Sequence, residues 1–378
     1  GIYYAIGGPA GQQYNHSVWL DPQMPNIYRS FAEHGYRIGH YGKWHLGRQD
    51  REGNKVAPAP AEYGVHESAT NNSTGPQLTG LTNANKSERT ADEGIAFIER
   101  NQSQPFFLSL WINDPHAVLD PTQEQMEPYM QFTNPAVRDT LRSSQTVYYA
   151  ILTAIDTAVG RVIAKLEGAG LRDNTIILFS SDNGPSPLWS LGTGHAGAGL
   201  TGLFRGTKAS LYEGGIRVPF IVSWPGHVPA GRVEDQSTMA AVDMFPTLVK
   251  MAGLEAEVPA SIDGEDRSGV LLGTPAPRSK PLFWEYRFGN WGRELQVSPT
   301  LAMLDGDWKL LMNADRSRVE LYNLREDMTE TENRARYEKA IVEDMSARLM
   351  EWWDTEVPSP KKTPPYAGHP SWRMPRNP

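Results

Sequence analysis

Thr175-Ile-Ile-Leu-Phe-Ser-Ser181 is a β-branched and aromatic run that stops abruptly at Asp182-Asn183-Gly184-Pro185. Such a run reads as a strand buried within a sheet, and Gly and Pro turn the chain at its end. A glycine-rich passage follows, Gly192-Thr-Gly-His-Ala-Gly-Ala-Gly199, then Phe204-Arg-Gly-Thr-Lys208. Tyr212-Glu-Gly-Gly-Ile-Arg-Val-Pro219 then leads into a second apolar run, Phe220–Trp224. Two side-chain oxygens at a strand's carboxyl end, a flexible loop and a lysine fit the crevice where open α/β sheets bind ligands. This stretch is the candidate active site.

The rest of the chain alternates helical and strand patterns around it. Pro25–Gly35 is expected to be a short helix, Tyr36–Lys43 a strand, Thr90–Arg100 a helix and Pro105–Ile112 a buried strand. Leu141–Leu166 carries Val147, Ile151, Ile155, Val159, Val162 and Leu166 on one helical face. Ala241–Ala252 is another expected helix, whereas Gln49–Asn85 is long, polar and irregular. Strands separated by helices predict an α/β fold with a mainly parallel, covered sheet. Pro259–Arg278 then reads as a linker. Leu282–Tyr286, Thr300–Leu304 and Trp308–Met312 read as short strands, with Asp305-Gly306 as a hairpin signal. A helix from Thr331 to Trp353 and a Pro-rich tail, Pro358–Pro378, complete a small antiparallel subdomain. The expected domains are therefore 1–275 and 276–378.

Composition narrows the partners. The formal net charge of −8 gives no support for a nucleic-acid ligand. The absence of Cys excludes disulfides, thiolate metal ligands and a cysteine nucleophile within these residues. Eleven Trp and 15 Tyr leave rings to spare for stacking on a sugar, although most belong in the core. No apolar run of membrane length is apparent, and Gly1 in place of Met suggests a chain cut from a longer one.

Four expected strand ends or loops carry polar groups: Lys43 with His45, His116, Asp182 with Asn183, and Lys208. Taken singly, each has an ordinary explanation as a turn, a capping group or an exposed side chain. Taken together, hard oxygens suit Ca²⁺ or Mg²⁺, and lysines with histidines suit a tetrahedral oxyanion whose charge moves during reaction. Histidine also exchanges protons near neutral pH. The set points to transfer of a sulfuryl or phosphoryl group. The other histidines, His16, His34, His40, His66, His227 and His369, read as structural or surface residues.

These residues lie in motifs that resemble the type I, formylglycine-dependent sulfatases of the alkaline-phosphatase superfamily. Gly35-Tyr-Arg-Ile-Gly-His-Tyr-Gly-Lys-Trp-His-Leu-Gly47 is similar to that family's second signature. Pro105-Phe-Phe-Leu through Asn113-Asp-Pro-His116, the D-N-G at Asp182, and Gly206-Thr-Lys208 through Pro219 resemble further family segments in the family's order. Asp305-Gly-Asp-Trp-Lys-Leu310 and Glu320-Leu-Tyr-Asn-Leu324 resemble its C-terminal subdomain, and Trp224-Pro-Gly-His-Val-Pro-Ala-Gly231 is similar to sulfatases acting on amino sugars or polysaccharides.

The resemblance implies an alkaline-phosphatase-like fold and removal of sulfate from a sulfated carbohydrate, in the periplasm or outside the cell. It implies that Asp182 and Asn183 ligate Ca²⁺ and that Lys43 and His45 hold a formylglycine hydrate, with His45 as a later base. Lys208 and His116 would bind sulfate oxygens, with His116 as acid to the leaving alcohol. His195, Trp189 and Arg205 are expected to touch the sugar, from their loop positions. One departure stands out: no C/S-x-P-x-R nucleophile motif and no D-D-x-G carboxylates of a first strand occur in the chain. In the family both lie upstream of the point matching Gly1, so the chain as given is expected to be inactive alone. A phosphodiesterase or phosphonate monoester hydrolase on the same scaffold is the alternative reading. A catalytically dead glycan-binding protein is the third.

Overall fold

The structure, a computed structural model, describes residues 20, 22–46, 57–71, 73–133, 143–187, 194–254, 258–259, 262–286 and 297–355. Among the expectations above, the Pro-rich tail, Trp189, His16 and His369 lie outside them. Contacts divide the chain into two compact units. The first comprises Gly1–Ile177, Val222–Asp235 and Met239–Pro275; the second comprises Leu178–Ile221, Gln236–Thr238 and Ala276–Pro378. One boundary between the units lies at Pro275–Ala276, and 178–221 assorts with the C-terminal part.

The first unit is built on a parallel sheet in the order β2-β1-β3, from β1 (Arg37–Gly42), β2 (Glu67–Thr70) and β3 (Phe106–Trp111). Parallel neighbours need crossovers, and helices supply them. Helix α1 (Ile27–Glu33) begins at Asn26, whose side chain accepts the Arg29 N–H, and ends before Gly35 at φ +81°. Helix α2 (Lys86–Asn101) presses Phe97 and Ile98, both fully buried, toward the sheet. The approach is close because two glycines permit it. A Cβ at Gly39 would stand 2.8 Å from the Phe97 ring, and one at Gly94 would stand 2.8 Å from Leu110. Burial of Ile38, Phe97, Ile98 and Ile151 stabilises this layer by about 1.5–3 kcal/mol per side chain.

After the single turn α3 (Gln123–Met126), helix α4 (Ser144–Gly168) packs on α2. Its buried side chains are Thr146, Val147, Ala150, Ile151, Ala158 and Leu166, so the contact face sits partly on small residues. Ile155, Val159 and Val162, expected on the buried face, are only half-buried. By length and composition alone this helix is apolar enough to cross a membrane, although Asp156, Arg161 and Lys165 break its apolar run. It is nevertheless tied to α2 by Arg161–Asp92 and Lys165–Glu99 ion pairs, as an amphipathic packing helix would be.

Strands β4 (Ile177–Ser180) and β5 (Phe220–Ser223) pair with each other. The run containing β4 is expected to be buried, yet its Phe179 is 38% exposed, and Ile221 in the second apolar run is 59% exposed. Among the described residues these strands form a sheet of two, too narrow to cover both faces. Strand β2 also departs from expectation. It lies within the stretch read as irregular, because Glu-Ser-Ala-Thr has no apolar alternation and is a strand only through its pairing with β1.

Short helices α5 (Glu213–Ile216), α6 (Met244–Met251) and α7 (Ser268–Leu271) follow in chain order, α7 inside the expected linker. In the second unit β6 (Leu282–Glu285), β7 (Leu301–Asp305), β8 (Trp308–Met312) and β9 (Glu320–Asn323) form an antiparallel meander. Asp305 opposes Trp308 across a tight turn in which Gly306 takes φ +56°. Leu211 and Tyr212 share a core with Ala302, Leu311 and Tyr322. Helix α8 (Lys339–Thr355) packs on β7 and β8 through Met345, Leu349 and Trp353. It starts eight residues later than expected, because the Asp327 carboxylate captures the N–H groups of Thr331 and Glu332 in a non-helical turn.

Candidate active site

The first unit carries two of the sequence-predicted groups on one turn and a third on another. β1 ends at Gly42, whose φ is +98° and whose Cβ, if present, would stand 2.3 Å from the Trp111 carbonyl oxygen. Only glycine fits that position. The Lys43 N–H then donates to the same Trp111 carbonyl at 2.7 Å. Trp44 is fully buried against Tyr63, His40 and Trp111, while Lys43 and His45 on either side of it are half-buried.

His40 fixes the turn from beneath. It is fully buried, its Nε2–H donates to the Lys43 carbonyl at 2.9 Å, and its Nδ1 lies 2.8 Å from the Tyr28 hydroxyl. Ser109 on β3 extends the chain with its Oγ 3.0 Å from that hydroxyl. A carbonyl can only accept, so Nε2 holds the proton of the neutral ring and Nδ1 accepts from Tyr28. Burial lowers the His40 pKa to about 4, opposed by the bond to Lys43. The sequence reading of His40 as structural agrees with this placement.

His116 is exposed on the loop after β3, with Nδ1 2.9 Å from the Ala117 carbonyl oxygen. That bond holds a proton on Nδ1 and leaves Nε2 as the working nitrogen. The loop is tied down by Lys86 at the start of α2, which sequence reasoning did not single out. The buried Lys86 ammonium donates to the carbonyls of His116 at 3.3 Å and Val118 at 2.8 Å. It also stands 3.1 Å from Asp114 Oδ1, as an ion pair without hydrogen-bond alignment, and Ser87 Oγ donates to Asp114 Oδ2 at 2.7 Å. Asp114 within the Asn-Asp-Pro-His motif was the available signal; a buried lysine has none in sequence.

In the second unit the Asp182-Asn183-Gly184 and Lys208 motifs lie on one backbone block. The Gly184 N–H donates to the Gly215 carbonyl at 2.9 Å, Lys208 N–H to the Pro185 carbonyl at 2.8 Å, and Gly214 N–H to the Arg205 carbonyl at 2.7 Å. Glycines make this interlock possible. A Cβ at Gly184 would stand 1.9 Å from the Gly214 oxygen, and one at Gly215 2.1 Å from the Ser210 oxygen. Lys208 itself sits between two left-handed residues, Gly206 at φ +83° and Ala209 at φ +73°. The second is a strained conformation for a residue with a side chain, of the kind that surrounding structure must hold in place.

Asp182 is exposed and Asn183 half-buried. The Asn183 amide nitrogen donates to the Gly184 carbonyl at 2.9 Å, which leaves its oxygen as the acceptor. His195 lies half-buried on the turn Gly194–Ala198. Arg205, expected at the sugar, is turned to the C-terminal sheet. Its guanidinium donates to Tyr322 Oη at 3.0 Å and the Glu330 carbonyl at 3.1 Å, and lies 3.8 Å above the Tyr212 ring. The predicted groups therefore gather in two sets: Lys43, His45 and His116 in one unit, Asp182, Asn183 and Lys208 in the other. No cluster of three or more His, Asp or Glu side chains suited to a metal occurs among the described residues.

The sulfatase family profile matches residues 8–254, and the profile for the C-terminal part of N-sulphoglucosamine sulphohydrolase matches residues 199–355. The chain belongs to the sulfatase family. It is 35% identical over 187 residues to the steryl-sulfatase of Rattus norvegicus, covering 49% of this chain and 30% of that protein. It is 27% identical over 364 residues to the N-acetylgalactosamine-6-O-sulfatase of Bacteroides thetaiotaomicron, covering 88% of this chain and 63% of that protein. The chain thus spans between about a third and two thirds of these curated relatives. Among solved structures, Ps i-CgsB superposes with a TM-score of 0.69 at 25% identity, covering 90% of this chain and 76% of that one. Its complex with k-i-k-neocarrahexaose is similar to this chain at a TM-score of 0.66 and 25% identity, covering 91% of this chain and 77% of that one.

Proposed function

We propose that the complete protein removes sulfate from a sulfated carbohydrate, with Lys43, His45, His116 and Lys208 as its catalytic groups. The observation that carries this reading is the interlocked block that sets Asp182 and Asn183 beside the Lys208 loop through the Gly184–Gly215 and Lys208–Pro185 backbone bonds. Two hard oxygens beside a lysine suit a cation-assisted oxyanion site. The carbohydrate is favoured over a steroid by extent of similarity. The N-acetylgalactosamine-6-O-sulfatase aligns with 88% of this chain, the steryl-sulfatase with 49%.

Asp182 and Asn183 fit Ca²⁺, or secondarily Mg²⁺, because the Asn183 amide nitrogen is committed to Gly184 and its oxygen is the acceptor. A bound Ca²⁺ would offset charge on the sulfuryl oxygens, and a formylglycine hydrate from upstream sequence would supply the nucleophilic oxygen. Lys43 and His45 would hold the hydroxyl groups of that hydrate, and His45 would serve as the base that accepts a hydroxyl proton when sulfate is released. Lys208 presents positive charge to the sulfuryl oxygens. His116, with Nδ1 held by Ala117, delivers a proton from Nε2 to the leaving alcohol, which spares it from departing as alkoxide. His195 and Trp189 are the proposed sugar contacts, whereas Arg205 braces its loop against Tyr322 and Glu330. Export to the periplasm or cell exterior suits such a substrate and is checked by cell fractionation.

The complete protein, assayed with Ca²⁺, is expected to release sulfate from an aryl sulfate and from a sulfated sugar. Turnover of a matching phosphodiester without sulfate release would replace this reading with the phosphodiesterase one. His116→Ala is expected to lower turnover of a sugar sulfate by about 10²-fold or more, the usual scale of a lost general acid. An aryl sulfate with a good leaving group should lose much less, and equal losses on both substrates would remove the acid role.

A further inference from the structure

Glu213, Lys309 and Glu330 form a buried run of charge that the proposed reaction does not use. Lys309 and Glu330 are fully buried and Glu213 is 6% exposed. Lys309 Nζ donates to Glu213 Oε1 at 2.7 Å and lies 2.9 Å from Glu330 Oε1, the second an ion pair without hydrogen-bond alignment. Glu330 Oε2 accepts the Glu213 backbone N–H at 2.6 Å. Glu330 reaches this position from a left-handed backbone, φ +55°, a conformation that disfavours a side chain. Arg217 Nη1 adds a half-exposed partner 3.2 Å from Glu213 Oε2.

Desolvating three charges and straining a backbone is a poor way to stabilise a sheet, because apolar residues of the same volume do it with less desolvation. What the ions add is direction. Glu213 opens the turn whose next two residues, Gly214 and Gly215, bond to Arg205 and Gly184 respectively. Lys309 lies on β8 and Glu330 follows β9, so the anchors come from the C-terminal sheet.

We propose that the Glu213–Lys309–Glu330 triad is a positioning device that fixes the Glu213–Gly215 turn and thereby sets the places of Asp182, Asn183 and Lys208. The functional meaning of those places rests on the sulfatase reading above; the mechanical claim does not. Lys309 and Glu330 are positioning residues, since they act through Glu213 and touch neither substrate nor cation.

The test compares wild type, Glu330→Gln and Lys309→Met in the complete protein by amide hydrogen exchange and by calorimetric titration with Ca²⁺ alone. Glu330→Gln keeps the shape and removes one charge, so it serves if Lys309→Met fails to fold. Exchange at Gly184, Lys208 and Gly214 is expected to rise at least tenfold in Glu330→Gln, while Met303 and Leu310 in β7 and β8 keep their protection. Ca²⁺ affinity is expected to fall at least tenfold in the same variant. Unchanged exchange at the three amides, or a rise spread equally over β7 and β8, would overturn the proposal. Selective loosening in a protein whose wild type takes up no Ca²⁺ would support the positioning device and count against the metal reading instead.

Discussion

The turn bearing Lys43 and the block bearing Lys208 present the same kind of side chain with a different balance of side-chain and backbone support. Beyond the one backbone bond from Lys43 to Trp111 that Gly42 permits, the first is held by side chains: a buried indole, a neutral imidazole and a tyrosine hydroxyl. The second is held by backbone against backbone, with glycines that leave no room for a Cβ and buried ions behind them. Side-chain anchoring spreads its energy over several contacts, so each can be trimmed in steps. Backbone interlocking has no intermediate setting, because a single methyl group collides with a carbonyl.

The sharpest way to break this contrast is Gly184→Ala. Its Cβ would be placed 1.9 Å from the Gly214 oxygen, so the block has to open, with a destabilisation on the order of 4 kcal/mol or more by denaturant titration. Loss of under 1 kcal/mol would mean that the block is more pliant than its geometry. Trp44→Ala should act more gradually, costing about 3–5 kcal/mol as a buried ring is replaced by a cavity. Thermal unfolding of the two variants, followed with a probe in each unit, tells whether each loss is confined to its own side.

The neutral imidazole predicts an acid-sensitive first unit. Burial holds His40 at about 4 against the ordinary 6.5, so between these values the unfolded chain takes up a proton that the fold refuses. The associated stability is whole above pH 6.5 and is lost as pH falls toward 4, by on the order of 3 kcal/mol. Its ring neighbours, Tyr28, Trp44 and Trp111, offer no charge to offset the proton. His40→Gln should flatten that part of the stability–pH curve relative to wild type, and parallel curves would refute the assignment. At the small end, Arg325→Ala removes an exposed ion pair with Asp307 near the β8–β9 ladder and should leave the denaturant midpoint essentially unchanged.

What could be read from the sequence follows the same division. Strands β1, β3 and β8 and helices α2 and α4 announce themselves through local apolar spacing, which needs no knowledge of partners. Strand β2 does not, since Glu67–Thr70 owes its conformation to the neighbour it pairs with. The start of α8 was misplaced because one carboxylate, Asp327, outcompetes the helix locally. At the site, the groups proposed to perform chemistry were singled out from their motifs. Lys86, Lys309 and Glu330 were not, because a buried charge looks in sequence like any surface charge until its partners are known. Arg205 shows the converse: a loop position suggested the sugar, and the fold committed the guanidinium to Tyr322.

The assortment of 178–221 with 276–378 bears on how such a chain can be recombined. A crossover at residue 275 would look natural from the linker, yet it would split one core between two parents. Leu211 and Tyr212 would come from one parent, and Ala302, Leu311 and Tyr322 from the other. The transplantable cassette in this molecule is discontinuous, and a chimaera that respects it must exchange both stretches together.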